Sequence, residues 1–182
     1  QLLSFNNEGT FCSKGLLRLI SQGNIVNFHH LVGNLGIYLE AADLFSNTGD
    51  VESEETIGVH GAQIVNHKKI QGTKGVTLKA SQSFENKEGA EVNSAKGKVT
   101  LTSPQFTIQG PVKGQNVDVH HQGATPFQGN VAAIDTLTLH VPYGWSLENK
   151  AQAFGHSIVL HGPIRHPGNL NIKKDFTWYN SE

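Results

Sequence analysis

A short alternating pattern returns along this chain at nearly constant spacing. It appears as "LLRLIS", "GIYLEA", "TIGVHG", "GVTLKA", "KVTLTS", "NVDVHH", "TLTLHV", "SIVLHG" and "NLNIKK". Their first inward residues are Leu17, Ile37, Ile57, Val76, Val99, Val117, Leu137, Ile158 and Leu170, at steps of 20, 20, 19, 23, 18, 20, 21 and 12. Side chains alternate faces along a strand, so each copy is one half-buried strand. Asn7, Asn27, Asn47, Asn66 and Asn86 keep the same beat, and Asn149 resumes it. Apolar residues stand two before these Asn: Phe5, Ile25, Phe45, Ile64, Phe84 and Leu147. Residues 25–41 and 64–80 are identical at 7 of 17 positions without a gap.

A period near 20 is too short for helical repeats or propeller blades. The leucine-rich repeat overlaps in length but needs a leucine spine and a return segment, usually helical, which are absent here. The pattern predicts a single all-β domain, a parallel β-helix of about nine rungs in which neighbouring coils bury each other's apolar side chains. Asn27, Asn47, Asn66 and Asn86 are expected to stack as an amide ladder around one turn. Gly9, Gly49, Gly72, Gly75, Gly89 and Gly114 are expected at corners. The repeats are regular over 1–103 and less regular over 104–182, where a cap is expected at the end. The open ends predict either end-to-end self-association or a capping segment at 1–15 or 165–182.

The coil form F-x-N-x-G-x-[IV], a polar turn, then G-x-[LIV]-x-[LIV]-x-A is clearest in "LFSNTGDVESEETIGVHG", "IVNHKKIQGTKGVTLKA" and "SFENKEGAEVNSAKGKVTLTS". It resembles the repeats of filamentous haemagglutinin-like exoproteins. These are large bacterial proteins of two-partner secretion, among them adhesins and the stalks of contact-dependent growth inhibition effectors. The resemblance covers about two-thirds of the chain. It implies a right-handed helix, a secreted, cell-surface location and a structural and adhesive role towards host or neighbouring cells. It supplies no catalytic residues. The secretion-domain signature and any toxin motif are not visible, and the chain starts at Gln1 without a Met. It therefore reads as a fragment, an interior or distal segment of a longer protein.

A net charge of −1 gives no basic excess for nucleic acid. No apolar run is long enough for membrane insertion by a helix. No cofactor is implied. The expected partners are a cell-surface protein or glycan receptor and the rest of the parent chain.

The candidate sites are few. His120, His140 and His161 share the outward slot of three consecutive coils, and His60 shares it further back. Such a column could take Zn²⁺ or Cu²⁺. Three ligands in a line make no tetrahedron, and without cysteine or carboxylate ligands a polar ladder is the favoured reading. Acids cluster at Asp50, Glu52, Glu54 and Glu55 and at Glu85, Glu88 and Glu91, in what read as polar turns. Asp118 and Asp135 lie on or beside strand faces, each without a partner acid one coil away. Paired carboxylates for a carbohydrate-active enzyme are therefore not evident, and the chain reads as non-enzymatic. The rivals are a polysaccharide lyase or hydrolase and a phage tailspike-like fibre. Cys12, placed in a turn, has no histidine tied to it. Tyr38, Tyr143 and Trp145 are the candidate receptor-binding residues, with the side face 38–79.

Overall fold

The computed structural model describes residues 3–125, 127, 129–146, 152–166 and 169–179. At 145–146, 164–166 and 169–170 it describes the backbone alone. The fold is all-β and the strands pair in parallel, stacking into a β-solenoid of about eight turns with a period near 20 residues. Three columns of strands run along it.

The first column stacks Phe5, Ile25, Phe45, Ile64, Phe84 and Phe106 in register. The second stacks Phe11, Leu31, Val51, Ile70, Val92, Val112, Val131, Ala153 and Leu170. The third stacks Leu17, Ile37, Ile57, Val76, Val99, Val117, Leu137, Ile158 and Phe176. Nine strands in a column are separated by eight steps, a rise of roughly 40 Å at the usual interstrand spacing. The ninth slot of the third column belongs to Phe176, not Leu170. "NLNIKK" forms the start of the long strand Asn169–Tyr179, and Leu170 pairs with Ala153 in the second column.

Alternation sends one residue in two to the interior. Ile37, Ile57, Val76, Val99, Val117, Leu137 and Ile158 are buried, as are Leu39, Val59, Leu78, Leu101, Val119, Leu139 and Leu160 two positions on. No turn could enclose these side chains alone; the turns above and below cover them.

The corner of the first column carries the amide ladder. Asn7 Nδ2 donates to Asn27 Oδ1 at 2.7 Å, and Asn27, Asn47 and Asn66 each donate to the next Asn Oδ1 at 2.8 Å. Each of Asn27, Asn47 and Asn66 also donates to a backbone carbonyl one turn away. Asn86 ends the run because Ile108 occupies the next slot. Beyond it Phe84, Phe106 and Phe127 fill the interior edge to face, with centroids 5.7 and 5.4 Å apart. Asn149 lies outside the described residues, as does Leu147.

Glycine placement differs from expectation. Among the six expected at corners, Gly89 alone has a left-handed backbone, with φ 79°. Gly72, Gly75 and Gly114 lie within strands. Gly49 is required by close approach, since a Cβ there would overlap the backbone of His29.

At the ends, residues of the first fifteen form ordinary strands, Phe5–Asn7 and Thr10–Ser13. Asn169–Tyr179 continues the winding and pairs with Gln152–His161. Among the described residues, no element crosses that last strand.

Candidate functional site

Among the described residues, the outward face of the third column brings together a constellation of chemistry-bearing side chains. In its outer slot, Thr102, His120, His140, His161 and Tyr179 follow one another on successive turns. Strict register turns this into a stack. His120 and His140 lie 4.4 Å apart between centroids and 5° from parallel. His140 and His161 are 4.5 Å apart and 11° from parallel, and Tyr179 closes the stack over His161 at 4.7 Å. His60, in the same slot several turns back, packs instead against Tyr38 at 5.4 Å.

The carboxylate that sequence reasoning found missing is Asp118. It stands two residues before His120, so alternation puts both on the same face. Its Oδ1 lies 3.3 Å from His120 Nε2 and 3.6 Å from His140 Nε2. Its Oδ2 accepts from Lys98 Nζ at 2.6 Å, reaching across from the preceding turn. The signal was present in "NVDVHH", where an acid and a base alternate with two inward valines.

The electrostatics follow from this packing. Burial acts to raise the Asp118 pKa, but the Lys98 hydrogen bond and the His120 and Lys98 charges outweigh it and hold it below the usual carboxylate range. His140 is pushed down, first by burial and then by His120 and His161 on either side, with Lys98 adding and Asp118 opposing. A stacked column therefore favours neutral imidazole at its centre. His121, next to His120, points inward: it is buried against Phe106 and Phe127, and its Nε2 lies 2.5 Å from the Thr125 carbonyl.

Four of the seven acids in the two clusters are ion-paired. Asp50 pairs with Lys68 at 3.0 Å, Glu52 with Lys69, Glu55 with Lys74 at 2.6 Å and Glu85 with Lys87 at 2.5 Å. Asp50 and Glu52 lie in the strand Asp50–Ser53, Glu85 in Gly75–Asn86 and Glu91 in Glu91–Ser94, rather than in turns. Asp135 accepts from Gln115 at 2.5 Å. Cys12 likewise lies in a strand, Thr10–Ser13, and is exposed.

Tyr38 points outward and is half-buried. Arg18 sits 5.5 Å over its ring, His60 packs against it, and its hydroxyl donates to Glu40 at 2.8 Å. It lines an open groove of about 540 Å³ with Leu16, Arg18, Thr56, Gly58 and Thr77. A second groove, of about 350 Å³, runs past Gln109, Lys113, Asn130, Gln152 and Phe154. Neither groove is lined by a carboxylate. Tyr143 is exposed in the turn before Trp145, whose side chain lies outside the described residues. No helix of the described residues is long and apolar enough to cross a membrane.

Comparison with known proteins finds similarity to the deoxyribonuclease CdiA of Dickeya dadantii (strain 3937), 29% identical over 153 residues. The match covers 84% of this chain and 4% of that protein, so the chain spans a small part of the relative's length. No family model matches, and no solved structure matches. The similarity and the β-solenoid together are consistent with a repeat region of the CdiA and filamentous haemagglutinin-like kind.

Proposed function

We propose that this chain is a rod segment of a large secreted, cell-surface protein that supports contact with host or neighbouring cells. The observation that carries the reading is the continuous stack of parallel strands. Nine strands follow one another in two of the columns, so the sequence specifies length and a long side face above all. The likeness to CdiA spans most of this rod and a small fraction of the relative. We assign the activity in that relative's name to other parts of it, and treat this chain as non-enzymatic. The adhesive surface is the face around Tyr38 together with the turn of Tyr143 and Trp145, offered to a protein or glycan receptor. The two open ends are joints to adjoining coils of the parent chain, and they let the isolated chain associate end to end.

The test is a glycan and cell-binding screen of the purified chain, with products analysed by mass spectrometry and DNA supplied as a second substrate. Binding without cleavage, lost in Tyr143→Ala and Trp145→Ala variants that still melt like the parent, is the expected result. Cleavage of a glycan would establish the carbohydrate-active alternative, and cleavage of DNA would place the nuclease here. Binding to nothing would leave a spacer without an adhesive face. A stable trimer in solution would favour the tailspike-like fibre.

A further inference from the structure

Asp118, His120 and His140 bring three potential ligand atoms within 4.8 Å of one another. In a tetrahedral zinc site, bonds of about 2.0–2.2 Å set ligand atoms about 3.3–3.6 Å apart. The two Asp118 Oδ1 distances, 3.3 and 3.6 Å, are close to those edges. The remaining edge closes if the two imidazoles tip towards each other. Both rings are more than a third exposed, and the terminal torsion of histidine is soft.

A second observation points to the same place. Asp118 Oδ1 is buried and has no hydrogen-bond partner, although two imidazole nitrogens stand beside it. The two nitrogens stand at ion-pair distances of 3.3 and 3.6 Å from it. A cation held between the three would satisfy it. Lys98 meanwhile fixes the other oxygen, as outer partners of ligating carboxylates do. The Lys98 charge opposes a cation, so the site is weaker than closed four-ligand sites.

The carboxylate also selects which part of the column can act. His140 and His161 are stacked as closely as His120 and His140. The outward slots two residues before them, in register with Asp118, hold Thr138 and Val159, which offer no charged ligand. At His60 the nearby Glu40 accepts from Tyr38, and the next residue in the slot is Lys79.

We propose that Asp118, His120 and His140 form a three-ligand site for a divalent transition metal ion of the zinc class on the side of the rod. Two imidazole nitrogens and one carboxylate oxygen suit Zn²⁺, Ni²⁺ or Cu²⁺, while Ca²⁺ and Mg²⁺ require more oxygen ligands. The fourth position is open to water. The inference stands independently of the adhesive reading.

The test is calorimetric titration of the tag-free chain with Zn²⁺, accompanied by the visible spectrum of the Co²⁺-loaded chain. One equivalent of Zn²⁺ should bind, Ca²⁺ should not, and Co²⁺ should give the intense absorption of a four-coordinate site. Asp118→Asn and His140→Ala should each weaken Zn²⁺ binding at least about tenfold. His161→Ala should stay within about twofold of the parent. All three side chains face outward, and circular dichroism checks that each variant is folded, with His120→Gln held as a further ligand variant. Absence of Zn²⁺ binding overturns the proposal. So does binding indifferent to Asp118→Asn, or an equal loss in His161→Ala and His140→Ala, which would indicate diffuse capture by the column.

Discussion

His120 and His140 stand one turn apart and stack face to face, 4.4 Å between ring centroids. Two imidazolium ions cannot share that spacing cheaply, and burial adds to the penalty. The His140 pKa is accordingly lowered from its ordinary value of 6.5, by burial first and by His120 and His161 next. Lowering means that the unfolded chain takes up a proton first as the pH falls. Stability from neutral His140 is thus complete above about pH 6.5 and declines as the pH drops towards the folded value. Asp118 acts in a separate window. Its pKa is also lowered, so its contribution persists above its unfolded value and is lost only below about pH 4. In chelator, the melting temperature should fall between about pH 7 and 5, and His140→Gln should flatten part of that fall. An NMR titration placing His140 at or above 6.5 would contradict the account.

The solenoid was legible because its interior is repetitive: Ile37, Ile57, Val76 and Val99 share one slot, and the ladder Asn share another. The last turn was misread because Phe176 and Trp178 occupy slots held elsewhere by aliphatic residues, while "NLNIKK" imitates the aliphatic pattern one column early. The Asp118 site was harder for a different reason. Pairing Lys98, Asp118 and His140 requires the register of three turns. The long strand Phe106–His121 shifts register against its neighbour between Ile108 and Val112, and again between Gly114 and Asn116. Those shifts fall before Asn116, so the shared slot of His120 and His140 stays readable from spacing, and Asp118 escapes because its partners one coil away are bases rather than a second acid.

Asn47 sits mid-ladder, fully buried. It accepts from Asn27 and donates to Asn66 and to the Lys69 carbonyl. Asn47→Ala removes all three bonds where water cannot replace them, at a cost of about 1–3 kcal/mol. Asn7 lies at the ladder's outer end and has one Asn neighbour in the run, so Asn7→Ala should cost less. Urea unfolding of both variants checks the order. Equal losses would mean that the ladder is not a chain of mutually satisfied amides.

Gly49 and Gly89 separate two reasons for glycine. A Cβ at Gly89 would meet nothing within 4 Å, so Gly89→Ala carries only the strain of its left-handed backbone, about 1–2 kcal/mol. A Cβ at Gly49 would overlap the His29 carbonyl, which accepts from Asp50 N at 2.7 Å. Gly49→Ala must push two turns apart and break that bond. It should destabilise the chain more than Gly89→Ala, with the loss read from thermal melts. The reverse order would show that the corner at 49 can open without disturbing the stack.

The last described strand, Asn169–Tyr179, pairs along one edge with Gln152–His161. Phe176 and Trp178 continue the inward slots of the third column, yet each is more than two-fifths exposed, since among the described residues no further turn covers them. An uncovered edge with apolar slots is a template for another strand. Sedimentation velocity should therefore show association that grows with concentration. Phe176→Lys with Trp178→Lys should shift the chain towards monomer, since a buried ammonium in either slot would oppose stacking. The Trp178 indole already donates to the Gly162 carbonyl at 2.8 Å, so Phe176→Lys alone is the milder variant and keeps that anchor. A parent chain that stays monomeric at every concentration would mean the end is closed to partners, and the joint assigned to it would have to lie elsewhere.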